Sequence, residues 1–184
     1  EFARKALEMT DTNALVLALV SQVRVMLDSN PEAGAVLARD AVALSPFNPF
    51  GYAAQSGAML RYARHTEALA AARTGAEITS RTKLLHWWES LSGLAALSAG
   101  QHSAAIAHYE AAHYRAPSFR SPMRHLLFLY MALGEETKAQ RVMTSLLRAE
   151  PDFSVERVRS DPDYPAATLR RSGLLDRAIP DFTR

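Results

Sequence analysis

The chain contains no cysteine among its 184 residues. That excludes disulfides, zinc sites built on thiolates and thiol nucleophiles together, and it fits a reducing, cytoplasmic setting. Glycine is sparse at eight residues, and none falls in a G-x-G-x-x-G or G-x-x-x-x-G-K-[ST] pattern, so nucleotide-binding loops are not expected. H-E-x-x-H and G-x-S-x-G are missing as well. Long apolar runs are also missing. Runs such as "ALVLALV" at Ala14 to Val20, seven residues, fall far below the roughly 20 of a membrane helix, so no membrane insertion is expected. Nor is there charge of one sign: Lys and Arg exceed Asp and Glu by only two. So small an excess steers a polyanion weakly, and direct nucleic-acid binding is not expected. No initiator Met precedes Glu1, and the chain is expected to be a piece of a larger protein.

What is present is a repeat. Pro46, Ser80, Pro117 and Pro151 each end an Ala-rich amphipathic stretch ("RDAVALSP", "RTGAEITS", "EAAHYRAP", "TSLLRAEP"), at separations of 34, 37 and 34 residues. Twelve positions before these ends stand Gly34, Ala68, Ala105 and Ala139, and five before stand Ala41, Gly75, Ala112 and Leu146. Seven residues make two helical turns, so each pair shares one helix face. Small side chains there let a neighbouring helix approach closely. Upstream of each such helix lies another with apolar residues at three- and four-residue steps: Ala14 to Leu27, Phe50 to Ala63, Lys83 to Ser98 and Ser121 to Leu133. Gly100 and Gly134 fall five residues before a small residue of the second helix, where a left-handed backbone ends a helix cheaply. No stretch alternates with period two, so the fold class expected is all-α.

Helix, short turn, helix and proline at a 34-residue period resembles the tetratricopeptide repeat. "WESLSGLAALSAGQHSAAIAHYEAAHYRAP", Trp88 to Pro117, is the best copy, with Gly93 at the first-helix glycine and Gly100 at the turn. The resemblance implies a right-handed α-solenoid of about four helix pairs over residues 1–151, followed by a capping tail over 152–184. Gln22 and Leu127 replace the glycine in the first and last copies. In the second, Gly57 lies eleven rather than twelve residues before Ala68, which reads as a turn one residue short. The tail contains a helical turn near Val155, a proline-interrupted loop, and a short helix ending at Gly173, with Leu169, Leu174 and Leu175 as covering residues. Its wording, "EPDFSVERVRSDPDYPAATLRRSGL", also resembles the end of the repeat region in bacterial multidomain signalling proteins with a class III adenylate cyclase or winged-helix domain upstream.

The residues that invite a chemical role divide accordingly. His108 and His113 stand five apart, about 140° around the helix, so they cannot share a metal, and His102 sits at the turn. Asp161 and Asp163 flank Pro162 without the further oxygen ligands calcium requires. No metal, cofactor or catalytic residue is expected. Adjacent Trp87 and Trp88 lie about 100° apart on their helix, so Trp88 is expected in the core and Trp87 beside the concave groove that first helices form in the family. The resemblance places Arg61, Trp87, Arg124, His125 and Phe128 on that face, to bind a protein or peptide, with the arginines suiting an acidic partner. The family's carboxylate clamp of Lys and Asn is not expected, because Asn13, Asn30 and Asn48 are badly placed for it. Two further readings stay open. The array is a homodimer that sets the geometry of an upstream domain, or it holds a small molecule between repeats.

Overall fold

The computed structural model describes residues 2–10, 12–27 and 31–176. Helix α1 (Phe2–Met9) precedes four antiparallel pairs: α2 (Ala14–Leu27) with α3 (Glu32–Leu44), α4 (Pro49–Arg61) with α5 (His65–Ile78), α6 (Leu85–Ser98) with α7 (His102–Arg115), and α8 (Arg120–Ala132) with α9 (Glu136–Ala149). Three short helices follow: α10 (Val155–Ser160), α11 (Ala167–Arg171) and a 3-10 turn, Leu174–Asp176. Among the described residues there is no strand. Each second helix also packs on the next first helix, α3 on α4, α5 on α6 and α7 on α8, and first helices touch one another. This is a tetratricopeptide-like solenoid.

The boundaries follow from local chemistry. Asn13 Oδ1 accepts from the Leu15 and Val16 N–H groups at 3.0 and 3.2 Å and so caps α2. Asn48 Oδ1 does the same for Phe50 N–H, with Pro49 supplying the preset φ of a first helical residue. The three second helices that precede a proline end alike. Ser45, Ala116 and Glu150 all leave the helical region in the same way (φ −147°, −140° and −147°, ψ 88°, 80° and 81°), because a following proline ring clashes with the helical conformation. Helix α5, followed by Ser80, ends differently. Thr79 stays near the helical region and its hydroxyl donates to the Gly75 carbonyl at 2.8 Å.

All eight of the aligned repeat positions are buried, and all but Leu146 are Ala or Gly. They are small because a large ring or branched chain stands against them. A Cβ on Gly93 would lie 2.8 Å from Tyr109 Cε1, one on Gly34 2.6 Å from Val25 Cγ2, and one on Gly75 would run into the six-membered ring of Trp88. Such gaps admit no carbon atom without a shift of the neighbour.

One expectation about register is corrected. The α4–α5 turn has the same length as the α6–α7 and α8–α9 turns, because Ala63 takes the left-handed position (φ 55°) held by Gly100 (72°) and Gly134 (70°). The residue equivalent to Gly93 is therefore Ser56. It is fully buried and donates from Oγ to the Ala68 carbonyl at 2.9 Å. Ser21 does likewise to Gly34 O at 2.7 Å. Gly57 lies one step around the helix, with only Val25 Cγ1 near it, at 3.9 Å from a Cβ there.

Residues 177–184 of the expected tail lie outside the described residues; in the described part α11 ends before Gly173, whose φ is 71°. Leu169, Leu174 and Leu175 are buried, and with Phe153, Val158 and Tyr164 they join the same core as α6 to α9. Arg170 ties the tail together. Its guanidinium donates to the carbonyls of Val158, Asp161 and Tyr164 at 2.9, 3.0 and 2.9 Å.

Candidate functional site

The tail decides which part of the inner surface is open. It crosses the first-helix face at its C-terminal end, with α11 against α6 and the 3-10 turn against α8. As a result α8 is buried on every side, without interruption from Pro122 to Met131. Three residues expected on the groove are thereby corrected. Phe128 is fully buried in the core. His125 is stacked on Tyr109 with ring centroids 4.7 Å apart, and its Nδ1–H donates to the Ser121 carbonyl at 2.7 Å. Desolvation holds its pKa down at about 4, against the partial upward pull of that hydrogen bond. Arg124 reaches Glu150 Oε2 from Nε at 2.9 Å and from Nη2 at 2.5 Å, in a pair that is almost wholly buried.

Tyr164 of the tail closes this pair. Its hydroxyl donates to Glu150 Oε1 at 2.7 Å and its ring lies 4.8 Å under the Arg124 guanidinium. Burial, and after it the bond to Glu150, pushes the phenol pKa far up. A buried charge pair costs desolvation that good geometry and further hydrogen bonds must offset, and here the carboxylate accepts on both oxygens. Arg124 therefore anchors the tail.

Arg61 and Trp87 stand elsewhere. They line a cavity of 380 Å³ where α2, α4, α6 and α11 meet. Its wall is mainly apolar or small: Val25, Ala53, Ala54 and Gly57 from α2 and α4, Leu91 and Leu94 from α6, Ala167 from α11. Trp88 packs fully inside against Gly75. Trp87 is half-buried, with its ring 4.8 Å from Trp88 edge-to-face and 6.3 Å from Phe50. A second cavity, of 470 Å³, adjoins the first and shares Leu60, Arg61, Thr168 and Arg171 with it. It adds His65, His102 and Ser172 at the turn edge of the second and third pairs. Sequence reasoning missed Arg171, His65 and His102. The signal for the histidines was their position two residues after Ala63 and Gly100, at equivalent sites of successive repeats.

The remaining histidines are separate. His108 Nδ1 contacts Glu89 Oε2 at 2.7 Å, half-buried between α6 and α7. His113 is held below the ordinary imidazole pKa by desolvation. Asp161 is paired with Arg157 at 3.3 Å and accepts from the Asp163 N–H. Among the described residues no three His, Asp or Glu converge in a metal-binding geometry, and no helix is long and apolar enough to cross a membrane.

The architecture thus defines a class, a tetratricopeptide-like helical array with an open inner slot. Comparison with solved structures agrees: the crystal structure of MamA superposes with a TM-score of 0.66 over 81% of this chain and 85% of that one, at 18% identity. That similarity is one of fold. No protein-family model and no curated protein matches the chain, so the likeness of the tail to cyclase and winged-helix regulators gains no support from them.

Proposed function

We propose that the chain is a non-catalytic protein-interaction module that holds a peptide or partner segment in the inner slot, with Trp87 as its apolar anchor and Arg61 at its edge. The observation that carries this reading is the half-buried indole of Trp87 over a wall of small residues from successive first helices. A rigid aromatic surface that partly escapes the core, beside room for a side chain, is the usual form of a binding anchor. Residues 1–151 act as the array and 152–184 as the cap that closes its far end. The setting in a bacterial signalling or regulatory protein is supported by the tail resemblance alone.

Gly57 gives a sharp test. It borders the slot and is nearly free of neighbours, so Gly57→Leu fills the slot from a position where the fold does not resist. Affinity capture of partners with wild type, Gly57→Leu and Trp87→Ala is expected to lose the same species in both variants. Undiminished capture by both overturns the reading.

A second reading has its own observation. Leu15, Leu19 and Val23 recur every four residues on α2 and are all more than 40% exposed. An uncovered apolar stripe at the first pair suits self-association, in which the array is a dimer that positions a further cyclase or DNA-binding domain. Light scattering on wild type and Leu19→Lys separates the two: a dimer abolished by the substitution, with slot binding intact, supports it, and a monomer at all concentrations removes it.

A further inference from the structure

The two adjoining cavities differ in chemistry. The slot is lined by Trp87, Leu91 and small residues, and the turn-edge cavity by Arg61, Arg171, His65 and His102. No carboxylate lines either one. Several arginines elsewhere face a carboxylate: Arg64 with Glu67, Arg157 with Asp152 and Asp161, Arg124 with Glu150. The contact shown for Arg171 is a long one, 3.5 Å to Thr168 Oγ1, and its charge is not satisfied there. Two arginines lining one cavity that no carboxylate lines raise a positive local field that an acid relieves. Arg61 is contributed by the array and Arg171 by the tail, so the cavity is complete only when the tail is docked.

We infer that the site reads a two-part signal in a peptide: a large apolar side chain seated against Trp87, and an aspartate or glutamate two residues away, held between Arg61 and Arg171. The inference rests on the slot reading above and adds the acidic element and the tail's part in binding it. A peptide is the occupant favoured by the geometry, because the two cavities lie side by side and share a wall. Side chains two apart in an extended segment point to the same side, about 6–7 Å apart along the backbone, and can enter both.

The test is selection of a displayed library of random twelve-residue peptides on three immobilised proteins. On wild type, the enriched sequences are expected to pair Leu, Phe, Ile or Met with Asp or Glu two positions away. Arg61→Ala/Arg171→Ala is expected to retain the apolar preference and lose the acidic one, and Gly57→Leu to lose both. A synthetic winner and its acid-to-amide counterpart (Glu→Gln or Asp→Asn) then give the magnitude. Loss of the carboxylate, or of both guanidiniums, weakens binding about tenfold, as expected for exposed charge-assisted contacts. Apolar enrichment without acidic enrichment on wild type, or acidic enrichment unchanged on the double variant, overturns the inference and leaves the slot reading standing. Enrichment of neither kind overturns both.

Discussion

Ala63 is the place where the fold asks for a residue it does not have. At φ 55° it occupies the left-handed region, and the same step of the next two turns is taken by Gly100 and Gly134. An L-residue there costs about 1–2 kcal/mol through the Cβ. Replacing it with glycine removes that strain but gives the unfolded chain more freedom, which offsets about 0.4–1 kcal/mol. Ala63→Gly is therefore expected to stabilise by about 0.5–1 kcal/mol. For a chain of this length, that raises the melting temperature by about 1–4 °C. The mirror experiment is Gly100→Ala. Nothing lies within 4 Å of a Cβ at Gly100, so the whole effect there is backbone strain, and the expected loss is of similar size. Both variants are compared with wild type by circular dichroism, as thermal and urea midpoints, since an array need not unfold in a single step. A midpoint for Ala63→Gly at or below that of wild type, with Gly100→Ala destabilised, refutes the equivalence of the three turns.

The other predictions concern packing, the tail anchor and protons. Gly93→Ala forces a carbon against the fully buried Tyr109 ring and is expected to destabilise by about 1–3 kcal/mol, whereas Gly57→Ala, with open space beside it, gains about 0.5–1 kcal/mol of helix propensity; urea midpoints separate them. Glu150→Ala leaves Arg124 buried without its counter-charge and is expected to cost about 3–5 kcal/mol, read as a lower midpoint and as protease cleavage beyond Asp152 under native conditions. His125 has a folded-state pKa of about 4 against about 6.5 unfolded, so the unfolded chain takes up its proton first as pH falls. Stability is full above pH 6.5 and is lost towards pH 4, by about 3 kcal/mol over the window; His125→Leu is expected to flatten most of that dependence, with His113 leaving a residue of the same sign.

The array was legible because its determinants are local and recur. A proline forces the preceding residue out of the helix wherever it stands, and small residues seven apart mark a contact face whatever the neighbour. The second repeat shows where such reading slips. Gly57 and Ser56 are adjacent, and either fits a small-residue slot by type. The turn register decides between them, and Ala63 concealed that register by doing a glycine's work. Trp87 and Trp88 divided as helix geometry requires, since two indoles about 100° apart cannot both enter one core.

Arg124, His125 and Phe128 show the opposite limit. Within α8 their spacing is that of a groove face, and spacing alone does not distinguish a face open to a ligand from one covered by the chain's own tail. The distinguishing facts are far away in sequence: Glu150, which supplies the counter-charge, and Tyr164, which satisfies that carboxylate's other oxygen. A long-range contact of this kind has no period to detect. It does leave one compositional trace. "MRHLLFLYM" from Met123 to Met131 has apolar residues all around the helix, and a helix apolar on every side is one buried on every side. A first helix bordering an open groove must keep one face compatible with water, as α6 does with half-buried Trp87, Leu91 and Leu94. By that criterion α8 was never a groove helix, and its arginine had to be an ion-pair partner rather than a reader of ligands. Arg171, exposed and lining cavities that no carboxylate lines, is the residue to which the proposed reading assigns that role instead.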